Sequence, residues 1–128
     1  MAGYSGKPLK DKLGIKPDAS VCIVKAPKGY LASLGVKNGR KGPYDFAQLF
    51  TTSTAELEKF FPVMKKRITQ GGMLWISWPK GASGVKTDLN ENVVRAVGLA
   101  NGLVDVKVAA VDETWSGLKF VYRLADRK

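Results

Sequence analysis

The feature that most constrains the fold is the alternation of apolar runs and amphipathic stretches over the first hundred residues. Apolar runs at 20–26, 44–51 and 73–78 are typical of strands. Segments with apolar residues at helical spacing separate and follow these runs. This alternation predicts a three-layer α/β domain with a mostly parallel sheet and right-handed crossovers.

The end of the chain has a different pattern. The strand-like runs 104–111 and 118–124 are joined by only six residues, DETWSG, too few for a parallel crossover. They therefore predict an antiparallel hairpin that closes the sheet. Because a predicted helix at 88–101 is a crossover, we expect 104–111 to run parallel to 73–78.

Helix signals support this order. Pro8 and the LKDKLG after it predict a short helix within a basic N-terminal arm, residues 1–19, and PKGYLASLG predicts one or two further turns. Ser53 and Glu56 form a capping-box pattern, in which Ser53 accepts from the Glu56 amide and Glu56 reaches back. The helix after this box contains Pro62, a kink signal, and we expect Gln70-Gly71-Gly72 to end it. Its predicted buried residues are Leu57, Phe60, Phe61, Met64 and Ile68.

A second capping pattern starts at Asp88 with Glu91. It predicts a helix that ends at Asn101-Gly102. Its expected buried stripe is Leu89, Val93, Val97 and Ala100.

Composition limits the chemistry. The 128 residues suit one domain, 1–128, and no apolar run is long enough to span a membrane. The chain has no histidine and one cysteine, which argues against Ser-His-Asp or Cys-His catalysis and a zinc site. Cys22 cannot form an internal disulfide, so we expect a reducing, cytoplasmic location, and we predict that Cys22 is buried within its strand. We assign no catalytic residue, cofactor or metal.

The net charge of +10 is concentrated near the N-terminus: residues 1–41 carry nine Lys or Arg against two Asp. A surface of this kind favours acidic or phosphate-bearing partners, nucleic acid included, although a solvated lysine-rich surface has the same composition. The residues expected to form the positive surface are Lys7, Lys10, Lys12, Lys16, Lys37, Arg40 and Lys41.

Ligands of open parallel sheets bind outside the carboxyl ends of the strands. Four loops should meet there, and tryptophans in such loops are costly as mere connectors. We therefore expect Trp78, Lys80 and Trp115 to lie close together at this edge. The candidate ligand residues are Lys25, Lys28, Tyr30, Thr51, Thr52, Ser77, Trp78, Lys80, Ser83, Asp112, Glu113 and Trp115.

Known catalytic patterns fit this edge poorly. GASGVKT lacks the glycine spacing of a phosphate-binding loop, and Ser77-Trp-Pro-Lys80 has the Ser-x-x-Lys order without a helix to align the two side chains. Asp112 and Glu113 predict hairpin hydrogen bonds, or an ion pair with Lys25 or Lys80. Trp75 is expected in the core.

Several longer segments carry a resemblance: YSGKPLKDKLGIKP, APKGY, LFTTSTAEL, LWISWPKGASGVKTDL and VDETWSGLKFVYR. Together they are similar to an uncharacterised bacterial family, a domain of unknown function. From Tyr44 onward the layout resembles the second half of a Rossmann-like, adenosylmethionine-dependent methyltransferase domain, here truncated. The resemblance implies that strand 118–124 inserts between 73–78 and 104–111, although Lys119 and Arg123 would make one of its faces polar. The loops of Trp78 and Trp115 would then stand two strand spacings, about 10 Å, apart.

The resemblance implies a fold more than an activity. Cofactor binding in such enzymes needs a glycine-rich first turn and an acidic residue after the next strand. Here KAPKGY has only Gly29, and VKNGRKGP has no carboxylate. The sequence thus favours a non-catalytic ligand-binding or interaction module, with a small anion as the ligand. The alternatives are an enzyme that acts on a small anionic substrate through Lys80, Asp112 or Glu113, and a nucleic-acid-associated protein; the oligomeric state stays open.

Overall fold

A computed structural model describes residues 8–39 and 41–127. Lys7 and Arg40 of the expected positive surface, and residues 1–7 of the N-terminal arm, lie outside the described residues. None of the described helices is long and apolar enough to cross a membrane.

In this part of the chain, strands and helices alternate as the sequence predicts. The strands are β1 (Val21–Val24), β2 (Tyr44–Phe50), β3 (Ile68–Pro79), β4 (Leu103–Ala110) and β5 (Trp115–Tyr122). The helices are α1 (Leu9–Leu13), α2 (Tyr30–Leu34), α3 (Thr54–Arg67) and α4 (Glu91–Ala100), with short 3₁₀ turns at Gly81–Ser83 and Leu124–Asp126.

The strand order is β1-β2-β3-β5-β4, with the last strand in the inserted position that the resemblance implies. β1, β2 and β3 pair in parallel, whereas β5 pairs antiparallel with both β3 and β4. The last strand therefore inserts between β3 and β4. Lys119 is only half-buried on this strand, so part of its side chain stays in solvent although it lies opposite Lys107, and Arg123 lies beyond the end of β5.

Each face of the sheet carries its own core, which gives the three layers. On one face, α3 and α4 pack Leu57, Phe61 and Val94 against alternate strand residues. On the other face, α1 and α2 contribute Leu13, Tyr30 and Leu34. Trp75 is fully buried on this second face, as predicted, and its indole N–H donates to the Leu13 carbonyl at 2.9 Å.

The boundary between α3 and β3 differs from the prediction. α3 ends at Arg67 and β3 begins at once with Ile68, so the Gln-Gly-Gly segment lies inside the strand. A Cβ at Gly72 would lie 3.0 Å from the Tyr44 carbonyl oxygen, at the point where the β2–β3 register shifts. Gly72 permits close approach of two backbones at an irregularity, which local sequence does not distinguish from a helix stop.

The start of α4 also differs. Asn90 is the N-cap, and its side chain accepts from the Val93 amide at 2.9 Å. Asp88 instead accepts from the Thr54 amide at the start of α3, at 2.8 Å. The predicted cap residue thus serves a neighbouring helix.

This shift moves the buried stripe of α4. Val94, Val97 and Gly98 are buried, whereas Val93 is half-buried and Ala100 is exposed. The predicted end of α4 is confirmed, with Asn101 as the C-cap and Gly102 at φ 85°.

The outer edge of β1 is covered by the loop after α2. The Asn38 side chain accepts from the Ile23 amide at 2.6 Å and donates to the Ile23 carbonyl at 3.1 Å. The Gly39 amide donates to the Val21 carbonyl at 2.7 Å. These bonds take the place of a neighbouring strand, so the backbone groups of the edge are satisfied without one.

Candidate functional site at the carboxyl edge of the sheet

The parallel strands β1, β2 and β3 end at one edge of the sheet, called the carboxyl edge below, and the β4–β5 turn lies at the same edge. Pro79 pairs with Trp115, and the Lys80 amide donates to the Thr114 carbonyl at 2.8 Å. The predicted proximity of Trp78, Lys80 and Trp115 is therefore confirmed along the backbone. The two loops are closer than expected, because Trp115 begins β5 and pairs directly with the end of β3.

The two tryptophans nevertheless point to opposite faces of the sheet. Trp78 is only 5% exposed and belongs to the core under α3 and α4. Trp115 packs half-buried on the other face. Side chains alternate along a strand, so Trp78 and the register partner of Pro79 cannot share a face. They do not form one aromatic wall.

A different set of aromatics lies along the edge on the α1–α2 face. The rings of Tyr30 and Phe50 meet edge-to-face with centroids 4.7 Å apart, and those of Phe50 and Trp115 meet in the same way at 5.0 Å. This aromatic row spans the start of α2, the end of β2 and the start of β5. Phe50 is buried, so Trp115 is the member that reaches solvent most.

A buried hydrogen-bond chain lies beside the row. The Tyr30 hydroxyl donates to Gln48 Oε1 at 2.8 Å, and Gln48 Nε2 donates to Ser77 Oγ at 3.0 Å. Burial, reinforced by the nearby charge of Asp112, raises the pKa of Tyr30 to about 12. Gln48 was not among the sequence candidates; its signal was a polar residue inside the apolar run YDFAQLF.

Lys25, directly after β1, has a left-handed backbone with φ 60°. A side chain in this region costs about 1–2 kcal/mol relative to ordinary conformations. The Lys25 ammonium lies 3.5 Å from Glu56 Oε2 and 5.4 Å from the centroid of the Phe60 ring. The strained turn thus places the Lys25 ammonium group beside the start of α3.

Glu56 is a second residue that sequence reasoning did not place in the site. Ser53 accepts from the Glu56 amide at 3.1 Å, as the capping box predicts. The reciprocal bond is replaced, because the Thr51 hydroxyl donates to Glu56 Oε1 at 2.6 Å. The ends of β1 and β2 and the start of α3 are therefore joined through one carboxylate.

The remaining candidates divide into turn-forming and solvent-facing residues. Asp112 accepts from the Thr114 and Trp115 amides, both at 2.8 Å, which is the predicted hairpin role. The expected ion pair of Asp112 or Glu113 with Lys25 or Lys80 is not formed, since Lys25 pairs with Glu56. Ser83 donates to the Lys80 carbonyl at 2.6 Å.

Exposure sorts the candidates further. Thr51 and Ser77 are buried along with Tyr30 and Trp78. Lys28, Thr52 and Glu113 are exposed, and Lys80 is half-exposed. The site accessible to a ligand is thus the surface between Lys28 and Lys80, beside Trp115.

This arrangement offers recognition groups more than reaction groups. Ser77 Oγ accepts from an amide and has no adjacent base among the described residues. Tyr30 is held neutral at ordinary pH, and Cys22 is buried in β1 as predicted. Cations and a half-exposed indole remain to contact a ligand.

No protein-family model and no curated protein matches the sequence. Solved structures do match. The first, a magnesium protoporphyrin IX methyltransferase from Synechocystis with bound SAM, is 15% identical with a TM-score of 0.51; the match covers 64% of this chain and 40% of that one. The chain therefore spans less than half the length of this neighbour.

Two further neighbours cover more of the chain. A ribosomal protein L11 methylase from Lactobacillus delbrueckii subsp. bulgaricus has a TM-score of 0.61 at 12% identity, with 90% of this chain and 75% of that chain covered. A putative methyltransferase from Thermoplasma acidophilum has a TM-score of 0.60 at 10% identity, with 92% and 75% covered. At these identities the likeness concerns the fold alone, and the chain has a small, truncated methyltransferase-like α/β fold.

Proposed function

We propose that the protein is a non-catalytic module that binds a small anion with an apolar body at the carboxyl edge. The observation that carries the proposal is Lys25, a non-glycine residue with a left-handed backbone at the end of β1. Such strain persists only where the surroundings enforce it, and it concentrates at ligand sites. Here Glu56 and Phe60 hold the side chain.

Charge and apolar surface define the class of ligand. Lys28 lies in the loop that follows β1, and Lys80 directly follows β3, two positions along in the sheet. Trp115, with Phe50 and Tyr30 behind it, supplies an aromatic surface beside Lys80. An aromatic carboxylate can stack on the indole while its charge meets an ammonium group.

Two features support binding without turnover. The hydroxyls of Tyr30 and Ser77 are used in a buried bond chain, and the carboxylate of Glu56 is bound by Thr51 and Lys25. General acid–base catalysis needs a titratable group free to reach the substrate, with a pKa near the working pH. A reaction catalysed by Lys80 on an anionic substrate is the competing function, and product analysis distinguishes it.

The test is a thermal-shift screen of aromatic carboxylates, such as benzoate and indole-3-carboxylate, followed by calorimetry. A binder present at 100 times its Kd stabilises the native state by about 2.7 kcal/mol. We expect Lys28→Gln/Lys80→Gln and Trp115→Leu to weaken binding at least fivefold. The matched control, Lys59→Gln/Lys66→Gln on α3, should bind as the wild type does.

The bound compound should be recovered chemically unchanged after prolonged incubation. Chemical conversion of the compound would contradict the proposed binding module and favour the competing function, an enzyme that acts on an anionic substrate. If no carboxylate shifts the midpoint, or if the control pair weakens binding equally, the proposed ligand class is wrong.

A further inference from the structure

A second cleft lies away from the carboxyl edge, beside the outer side of β1. It has a volume of about 270 Å³ and lies between α1, the segment that leads into β1, and the end of α2. Ile15 and Val21 form part of its buried floor. It shares no residue with the carboxyl-edge candidates.

The charge of this cleft is one-sided. Lys10, Lys16 and Lys37 line it, and no carboxylate does. None of these three lysines forms an ion pair or a side-chain hydrogen bond within residues 8–39 and 41–127. Three ammonium groups around one concavity repel one another, and a multivalent anion relieves that repulsion.

The neighbouring cleft provides an internal comparison. It has nearly the same volume, about 280 Å³, and also includes Lys16, but Asp18 and Asp45 line it as well. Asp45 is already used there, since it accepts from the Ser20 amide at 3.0 Å. Carboxylates thus line the cleft on one side of Lys16, whereas none lines the cleft on its other side.

We propose that the cleft of Lys10, Lys16 and Lys37 binds a phosphate group. A phosphate monoester carries up to two negative charges and three acceptor oxygens, which matches three lysine donors better than a single carboxylate does. The volume of the cleft exceeds that of one phosphate, so the group it binds can be attached to a larger molecule. The phosphate can belong to a phosphorylated small molecule or to a nucleic-acid strand.

Two probes separate these sources. Inorganic pyrophosphate, followed by calorimetry, represents the small phosphate compound. A 12-nucleotide single-stranded RNA, followed by fluorescence anisotropy at several salt concentrations, represents the strand. Each probe is tested on the full chain, on Lys10→Gln/Lys16→Gln/Lys37→Gln, and on the charge-matched control Lys59→Gln/Lys66→Gln/Arg123→Gln.

We expect the cleft variant to bind at least one probe tenfold or more weakly, and the control to stay within twofold of the wild type. If the source is a strand, the slope of log K against log salt should also flatten by about 0.7, since the cleft contacts one phosphate and each phosphate contact on a single strand contributes about 0.7. Saturable pyrophosphate binding with an unaffected RNA slope assigns the cleft to small phosphate compounds.

Lys16→Glu gives a second variant with one exposed substitution, and unchanged thermal unfolding shows that it is folded. It should weaken binding more than Lys16→Gln does. Failure of both probes to bind the wild type, or equal losses in the cleft and control variants, would overturn the proposal. The carboxylate ligand and Lys28→Gln/Lys80→Gln serve as an independent control, because the carboxyl edge and this cleft share no residue.

Discussion

At the scale of single residues, the backbone conformation and the side-chain contacts of Lys25 favour different residue types at this position. Its φ of 60° suits glycine, whereas its ammonium group needs the long side chain to reach Glu56 at 3.5 Å. Both partners are partly exposed, so the ion pair itself stabilises little. The strain is therefore the larger of the two contributions to stability.

Comparing Lys25→Gly with Lys25→Ala isolates that strain, since both remove the ion pair. We expect the glycine variant to be more stable by about 1 kcal/mol, because alanine retains the steric penalty of the left-handed region. Urea unfolding measures the difference. At Lys28, whose φ is not positive, the glycine variant should be no more stable than the alanine variant; the same order at both positions would contradict the interpretation.

Gly98 shows a second single-residue constraint. A Cβ at this position in α4 would overlap the ring of Phe120, which is fully buried in β5. Overpacking costs about 1–3 kcal/mol, while alanine gains about 1 kcal/mol over glycine in a helix.

We expect Gly98→Ala to lower the free energy of unfolding by up to about 2 kcal/mol, since the added Cβ would overlap ring atoms of Phe120. Gly81→Ala, where a Cβ meets no atom within 4 Å, should change it by less than about 0.5 kcal/mol. The cost of Gly98→Ala should shrink in a Phe120→Leu background, since the two residues are in contact. Additive costs in a double-mutant cycle would show that the ring is not the cause.

At the scale of elements, the Tyr30–Gln48–Ser77 chain joins α2 to β2 and β3 by side-chain bonds between buried groups. In the described residues no buried side-chain polar atom lacks a partner. Removing one member therefore leaves a neighbour unsatisfied, which costs about 1–3 kcal/mol. The chain fixes the position of α2 relative to the sheet.

The pH dependence of stability tests this chain. Burial raises the pKa of Tyr30 from 10.0 to about 12, so its contribution to stability is fully present below pH 10 and is lost as pH rises toward 12. From pH 9.5 to 11.5 we expect the difference in unfolding free energy between wild type and Tyr30→Phe to fall by about 2 kcal/mol. The lysines titrate in both proteins and cancel; parallel curves would mean that Tyr30 is not buried as described.

At the scale of the whole molecule, the fold resembles that of methyltransferases, but the turn after β1 is not glycine-rich. The turn after β1 contains a single glycine, Gly29, and its first residue is the strained Lys25. Beyond β1, within the described chain, Asn38 and Gly39 bond the outer edge where a further strand would pair.

We therefore expect no measurable binding of adenosylmethionine by calorimetry, because a cofactor of this size needs the close backbone approach that only a glycine-rich turn allows. The Lys25→Gly variant should not bind adenosylmethionine either. It would still lack a glycine-rich turn after β1 and an acidic residue in VKNGRKGP. Micromolar affinity of the wild type for adenosylmethionine would contradict this prediction and favour a methyltransferase function.

The sequence by itself determined the order of elements and the parallel or antiparallel direction of the strands, and its resemblance to methyltransferases added the inserted position of β5 to this topology. Apolar periodicity separated strands from helices, and the short connection between the last two strands forced β4 and β5 to be antiparallel. These are short-range constraints, which local residue patterns express directly. The positions of Trp78, Lys80 and Trp115 at one edge follow from that topology.

Tertiary structure alone decided which side chains meet. The one-residue offset that places Trp78 and Trp115 on opposite faces depends on the pairing of Pro79 with Trp115. Glu56, Gln48 and Asn38 obtain partners that are 5 to 31 positions away along the chain, or that belong to other elements. The cleft lined by Lys10, Lys16 and Lys37 likewise exists only because α1 and the end of α2 pack on the same side of β1. Periodicity describes which face a residue occupies within its own element, but the partner across the gap is set by packing and register.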